Sequence, residues 1–184
     1  MKIGYFGANV GAFDGPDAIA RLGRAVEELG FESLWTGEHV VLVDPQRPPS
    51  PVPPHAPFVD TVATLAFLAA KTARILLDSG IILLAQRQPI VLAKELAGID
   101  VLSKGRLLFG VGVGYVPGEF EALGIPYAER GARVSEHIEV IRTLWTQEQP
   151  SFRGRFTSFS GIQSRPLPVQ RPHPPIHVDR KSVV

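Results

Sequence analysis

Apolar residues along the chain follow two alternating patterns, short continuous runs and longer stretches in which they return every three or four positions. Short continuous runs are typical of strands buried on both faces, whereas the wider spacing is typical of amphipathic helices. The runs predict strands at residues 2–7, 31–37, 75–84, 106–113 and 176–178. The spaced stretches predict helices at residues 16–29, 58–73, 89–102 and 127–145, with a short helical turn at 116–126 and a hairpin at 152–159.

The spacing also predicts which side of a helix is buried. The predicted buried stripes are Ile19, Leu22, Val26 and Leu29 in the first helix and Leu92, Leu96, Ile99 and Leu102 in the third. A proline stands in the first turn of both helices, where its fixed backbone angle favours a helix start.

Strands and helices alternate along the chain, and this alternation predicts an α/β fold with a parallel sheet. The pattern fits an open doubly wound sheet and a closed barrel equally well. In both architectures ligands bind at the carboxyl ends of the strands. With 184 residues, the chain is expected to form a single domain over residues 1–184.

A proline-rich segment follows the second predicted strand and leaves from the rim formed by the carboxyl ends of the strands. Residues 40–57 contain seven prolines, so they cannot form a helix interior or a central strand. A loop of this length inside a compact domain is usually a lid or a binding loop. We therefore expect this rim loop (residues 40–57) to cover a site.

Residues at the predicted rim supply the candidate chemistry. Glu38 and His39 end the second strand, where a histidine could bind a ligand or transfer a proton near neutral pH. His39 could equally tether the loop that follows it. Tyr115, after the fourth strand, could stack on a ligand or form part of a wall.

The fourth predicted strand carries glycine at alternate positions. Gly110, Gly112 and Gly114 share one face of this strand, because side chains alternate along a strand. Neighbouring groups could crowd into this face, or a flat ligand could lie against it. The spacing by itself leaves both interpretations open.

Composition and charge exclude several other functions. The net charge is +1 with dispersed basic residues, which gives no footprint for nucleic acid or an anionic membrane. The chain has no cysteine and its five histidines lack metal-ligand spacing, so we expect no metal site. No apolar run reaches membrane-spanning length and the N-terminus lacks a signal-peptide pattern, which predicts a cytoplasmic protein.

Three segments resemble the luciferase-like monooxygenase family, and within it the coenzyme F-420 (deazaflavin)-dependent oxidoreductases. They are GFESLWTGEHV at 30–40, SGIILLAQRQPIVLAKELAGIDVLSKGRLLFGVGVGY at 79–115 and RPHPPIHV at 171–178. The resemblance implies a TIM barrel, usually dimeric, that binds F-420 or, as the alternative, FMN. It also implies hydride transfer or monooxygenation on a small organic substrate, with the cofactor ring supplying the redox chemistry.

The resemblance assigns individual residues to the site. His39 is implied as the catalytic residue, either a proton donor or a contact to the ring. The implied cofactor-binding residues are Gly7, Glu38, His39, Ser79, Gly80, Ile81, Gly112, Gly114 and Tyr115. A non-proline cis peptide is implied near Ser79–Ile81, and the glycine face of the fourth strand is implied to admit the ring.

The chain also departs from the family pattern. Tyr115 stands where some deazaflavin dehydrogenases carry a catalytic glutamate, and Ala8 and Asn9 stand where some carry an acid. Relatives continue beyond the fifth strand, so the chain is expected to contain about five of the eight barrel strands. This predicts a truncated product, and the alternative function is a non-catalytic remnant or an interaction partner of a related barrel.

Overall fold

A parallel sheet organises residues 2–179, the part of the chain that the computed structural model describes. The strands of this sheet and of a separate hairpin are β1 Gly4–Phe6, β2 Ser33–Thr36, β3 Leu76–Ser79, β4 Ile82–Leu83, β5 Leu107–Gly112, β6 Phe152–Arg153, β7 Ser158–Phe159 and β8 Ile176–Val178. The sheet runs β1-β2-β3-β5-β8, and β4 pairs with β5 beyond the end of β3. Each of these pairings is parallel, so the predicted α/β fold is confirmed.

Helices connect the strands, as the alternating pattern predicts. They are α1 Pro16–Glu28, α2 Thr61–Lys71, α3 Pro89–Ser103, α4 Pro117–Ala122 and α5 Arg130–Thr146, with 3₁₀ turns at Leu84–Gln86 and Tyr127–Glu129. Proline begins both α1 and α3, which confirms the predicted helix starts. The predicted hairpin is also confirmed, because β6 and β7 pair in antiparallel fashion.

The core lies between the helices and one face of the sheet. Leu34, Leu77 and Leu107 are register partners on adjacent strands and are fully buried. Large apolar side chains of α2, α3 and α5 belong to the same buried cluster, namely Leu65, Leu68, Leu92, Leu96, Leu144 and Trp145. In a closed barrel, the opposite face of the sheet would line the interior.

Two leucines that the spacing predicts to be buried are exposed. α1 ends at Glu28, so Leu29 stands beyond the helix and is 76% exposed. In α3 the buried stripe continues from Ile99 to Ser103, and Leu102 is 66% exposed. An α-helix has 3.6 residues per turn, so steps of three and four residues alternate along its buried stripe. In α3 the step from Leu96 to Ile99 is three residues, and the next step of four leads to Ser103 instead of Leu102.

Two predicted boundaries also change. The strand predicted at 75–84 is interrupted, because β3 ends at Ser79 and β4 begins only at Ile82. The Gly80–Ile81 peptide between them is cis, which confirms the non-proline cis peptide that the family resemblance implies.

The second helix begins at Thr61 instead of residue 58, because the Asp60 side chain caps it by accepting from a backbone amide of the first turn at 2.9 Å.

Candidate functional site

A cavity of about 330 Å³ opens at the carboxyl ends of the strands. Most of its wall is apolar and is formed by side chains that follow several strands, including Phe6, Val52, Phe58, Ile81, Tyr115 and Val116. Two carboxyl groups and one imidazole reach the same space, those of Glu38, Glu119 and His39. Val52 belongs to the rim loop, so this loop forms part of the wall. We refer to this space as the rim cavity.

A second cavity, of about 230 Å³, adjoins the rim cavity. The two share four lining residues, namely Gly37, Glu38, His39 and Phe58. The second cavity is more polar, because Asp60, Gln86 and Arg87 also line it. His39 therefore lies where an apolar and a polar compartment meet.

His39 is held by a carboxylate that comes from a different part of the chain. Its Nδ1 lies 2.5 Å from Oε1 of Glu119, a residue in the first turn of α4 that is only 1% exposed. The other Glu119 oxygen accepts from the Gln86 side-chain amide at 3.1 Å. The rings of Phe58 and Tyr115 approach the imidazole edge-to-face, at centroid distances of 5.1 and 6.4 Å. These contacts fix the imidazole in one orientation at the cavity wall.

Glu38 is almost fully enclosed, and both of its oxygens have protein partners. One accepts from the Leu83 amide at 2.6 Å, and the other pairs with the Arg87 guanidinium. Arg87 pairs in addition with Asp60 at 2.7 Å, so two carboxylates balance one cation. Burial raises the pKa of Glu38, and the charge of Arg87 offsets this effect only in part. Glu38 therefore ties the end of β2 to β4, and a direct contact with a ligand stays a prediction.

The glycine face of β5 is not bare, which corrects the interpretation that it admits a flat ring. A Cβ on Gly110 would lie 2.0 Å from the Ser79 carbonyl oxygen, and one on Gly112 would lie 1.7 Å from Ile81 Cδ1. Gly114 lies beyond the end of β5, has a φ of +78° and faces the Phe120 ring. Gly110 is needed because the backbone of β3 crowds against β5, and Gly114 is needed for its backbone conformation. At Gly112 the Ile81 side chain fills the space beside the strand.

The other predicted site residues divide into two groups. Gly80, Ile81 and Tyr115 line the rim cavity together with the pair at the end of β2. Ser79 instead locks β3 to β5, because its hydroxyl both donates to the Gly110 carbonyl and accepts from the Gly110 amide, each at 2.9 Å. Gly7 has a φ of +96° and its amide donates to the Trp35 carbonyl at 2.9 Å, which shapes the turn after β1.

Glu119 and Gln86 are the site residues that the sequence reasoning does not find. Each is a polar residue in a short helical segment, and neither belongs to a motif with diagnostic spacing. The available signal is positional, since Glu119 stands in the first turn after Pro117 and that turn follows a strand whose carboxyl end forms the rim. An acid there is also favoured by the positive end of the helix.

Asp78 is a buried carboxylate directly before the rim residues of β3. Its exposure is 0%, and within residues 2–179 neither of its oxygens has a hydrogen-bond partner. The nearby Gly110 amide donates to the Ser79 hydroxyl. Burial raises the pKa of Asp78 to about 7, because the charged form loses its hydration and the nearby Gly110 amide offsets this loss only in part.

We expect this group to make stability depend on pH. The pKa of Asp78 is higher in the folded chain than in the unfolded chain, so the folded state keeps this proton to a higher pH. The free energy of unfolding therefore falls as pH rises from about 4 to 7. Between pH 5 and 7 the loss should be about 2 kcal/mol, and Asp78→Asn should remove it. Urea unfolding of both proteins at pH 5, 6 and 7 measures this, and an equal pH slope in the two would contradict it.

No helix in residues 2–179 is long and apolar enough to cross a membrane. No group of three or more His, Cys, Asp or Glu side chains in the same residues could hold a metal ion.

Comparison with known proteins identifies relatives of this chain. Residues 1–179 match the sequence profile of the luciferase-like monooxygenases. The chain is 32% identical over 164 residues to the oxygenase component of the flavin-dependent trigonelline monooxygenase of Acinetobacter baylyi, an alignment that covers 88% of this chain and 42% of that protein. The crystal structure of monooxygenase RslO1 from Streptomyces bottropensis superposes with a TM-score of 0.81 at 35% identity, over 97% of this chain and 53% of that one.

A more distant structure shares the fold. An F-420-dependent secondary alcohol dehydrogenase, solved in complex with an F-420–acetone adduct, superposes with a TM-score of 0.78 at 20% identity, over 96% of this chain and 51% of that one. The chain thus spans about half the length of these proteins.

A parallel sheet with flanking helices and a cavity at the strand ends defines an α/β protein of the TIM-barrel type, and the predicted partial barrel is confirmed. The profile match covers nearly the whole chain. The chain belongs to the luciferase-like monooxygenase family.

Proposed function

We propose that the rim cavity binds the ring of coenzyme F-420 or of FMN, and that the chain acts in an oxidoreductase reaction on a small organic substrate. The observation that carries this proposal is the imidazole of His39, fixed by Glu119 at the wall of an apolar cavity at the strand ends. Relatives support the choice of cofactor. Trigonelline monooxygenase is flavin-dependent by name, and the alcohol dehydrogenase structure contains an F-420 adduct.

The residues present fit the ring part of such a cofactor. A volume of about 330 Å³ lies at the lower end of the range of about 300–1,000 Å³ that ligand pockets occupy. The wall is apolar with a few convergent polar groups, which is the usual composition of small-molecule and cofactor sites. Arg87 is not a free anion ligand, because Glu38 and Asp60 already balance its charge. The fit therefore concerns the ring and not the phosphate-bearing tail.

The side chains of this chain have distinct roles in the proposal. When bound, the ring supplies the hydride or oxygen chemistry. The apolar wall, including Val52 of the rim loop, excludes water from the reacting atoms. Tyr115, which is 49% exposed, stands at the mouth of the cavity and is placed to contact the ring or the substrate. His39 holds or transfers a proton next to the ring.

The remaining parts of the proposal concern the choice of cofactor, the oligomeric state and the location. F-420 is the first choice and FMN the second, since the quoted segments resemble the deazaflavin enzymes while trigonelline monooxygenase uses a flavin. A homodimer, a cytoplasmic location and the absence of nucleic acid as a partner stay predictions. The alternative, a non-catalytic remnant, also stays a prediction.

Filling the rim cavity should weaken cofactor binding. Val52→Trp places an indole in the cavity from the rim loop, without altering the core between the helices and the sheet. We expect fluorescence titration to show saturable binding of F-420 or FMN to the parent chain and at least about tenfold weaker binding to this variant.

The matched control is Leu29→Trp, which adds the same side chain at an exposed position outside the cavity. It should bind the cofactor as the parent does. If the parent binds neither cofactor, or if Val52→Trp binds as tightly as the control, the proposal is wrong.

A further inference from the structure

We propose that Glu119 and Gln86 are positioning residues that fix the tautomer of His39, so that Nδ1 carries the hydrogen and Nε2 acts as a proton acceptor toward the cavities. The tautomer is a property of the folded chain and does not depend on a bound cofactor. The role of Nε2 as a proton acceptor in the reaction extends the proposed function and rests on that function.

The first step concerns the contact between Glu119 and the ring. Nδ1 of His39 lies 2.5 Å from Glu119 Oε1, and a carboxylate can only accept a hydrogen bond. The hydrogen of a neutral imidazole is therefore on Nδ1.

The second step concerns the other oxygen of the same carboxylate. Gln86 donates its side-chain amide to Glu119 Oε2 at 3.1 Å, so both oxygens accept from an N–H group. The Gln86 carbonyl oxygen is buried and has no partner within the described residues. The amide nitrogen faces the carboxylate because a carboxylate oxygen can only accept a hydrogen bond. The Gln86 amide and the His39 imidazole therefore both donate to the same carboxylate.

The third step concerns the remaining ring nitrogen. Nε2 of His39 makes no hydrogen bond within residues 2–179 and is not among the enclosed polar atoms that lack a partner. Since His39 lines both cavities, its Nε2 lone pair is accessible to a ligand there. In the neutral imidazole with its hydrogen on Nδ1, Nε2 is therefore the nitrogen that can accept a proton from a ligand. The chemistry it suits is a substrate or intermediate whose hydroxyl or N–H group loses a proton as the reaction proceeds.

The substitution Glu119→Gln tests this arrangement with a minimal change in shape. With the Gln86 amide nitrogen facing this position as it does in the parent, the carbonyl oxygen of the new amide should face Gln86 and its NH₂ should face His39. The imidazole must then accept at Nδ1 and carry its hydrogen on Nε2. In Ser-His-Asp triads the equivalent carboxylate-to-amide exchange imposes the wrong tautomer and lowers kcat by about 10⁴-fold.

The readout is ¹⁵N NMR of the imidazole rings in the full chain without cofactor, with His39→Gln used to identify the signal of His39. The parent should show the hydrogen on Nδ1, and Glu119→Gln should show it on Nε2. The double variant Glu119→Gln with Gln86→Leu removes the competing donor, so the new amide can turn its oxygen to His39. It should restore the hydrogen to Nδ1.

Each result decides the proposal, and none depends on cofactor binding. A parent spectrum with the hydrogen on Nε2 overturns it, even if the variants fail to fold. An unchanged tautomer in Glu119→Gln, or no restoration in the double variant, overturns the role of Gln86. If the tautomer behaves as expected but the chain binds no cofactor, the proposed function fails while this inference stands.

Discussion

Arg106→Leu is expected to lower the free energy of unfolding by about 3–5 kcal/mol, the largest loss among the single changes considered. The guanidinium of Arg106 makes five hydrogen bonds, to the carbonyls of Ala69, Thr72, Ile75 and Ser103 and to the Thr72 hydroxyl. It joins the carboxyl ends of α2 and α3 to the start of β3. Leucine would leave these buried carbonyls without donors, and each costs about 1–3 kcal/mol.

The position of the Arg106 charge also stabilises the fold. Burial lowers the pKa of Arg106, but the cation lies at the carboxyl end of α2, where the electronegative helix carbonyls stabilise a positive charge. Urea unfolding followed by circular dichroism measures the effect. Arg142→Met is the control, because Arg142 is half-exposed and its only ion pair within residues 2–179 is with Glu139, so its loss should stay within about 0.5 kcal/mol. A loss of less than about 1 kcal/mol for Arg106→Leu would contradict this account.

Gly110→Ala should cost at least about 3 kcal/mol, beyond the usual range for one added methyl group. The new Cβ would lie 2.0 Å from the Ser79 carbonyl oxygen and 3.0 Å from an Asp78 carboxylate oxygen. Rotation of a side chain cannot relieve a clash with backbone. Ser79 cannot move away by itself either, because its hydroxyl makes two hydrogen bonds with the Gly110 backbone.

Gly98→Ala provides the comparison for this change. Gly98 lies inside α3, and an added Cβ would meet no atom within 4 Å. The alanine should raise stability by about 0.5–1 kcal/mol, since glycine is the poorer helix former. Opposite signs for the two glycine-to-alanine changes, measured by thermal and urea unfolding, are the expected result. Equal effects would show that crowding at Gly110 does not determine the cost.

The elements of the fold were predictable because hydrophobic spacing reports local geometry. Apolar runs located the strands, and prolines located the starts of α1 and α3. Errors arose where a regular spacing was extended too far. Leu29 lies beyond the end of α1, and Leu102 falls outside a stripe that continues to Ser103. Spacing alone does not determine where a helix stops or which step of the 3.6-residue period comes last.

The candidate site was less predictable, because its contacts join residues far apart in sequence. His39 and Glu38 could be proposed from their position at the end of β2. Glu119 lies 80 positions from His39, and no local pattern announces that pairing. The glycines of β5 show the same limit, since spacing placed them on one face but could not reveal that Ser79 and Ile81 fill the space beside them.

The central claim is that the cofactor ring binds in the rim cavity next to His39. Hydrogen exchange of the full chain, with and without F-420 and FMN, tests this location most directly. The account predicts slower exchange at residues 37–39, 80–83 and 115–119, and no change at residues 72–76 near the opposite ends of the strands. Protection that is absent with both cofactors, or that falls outside the rim segments, would contradict it.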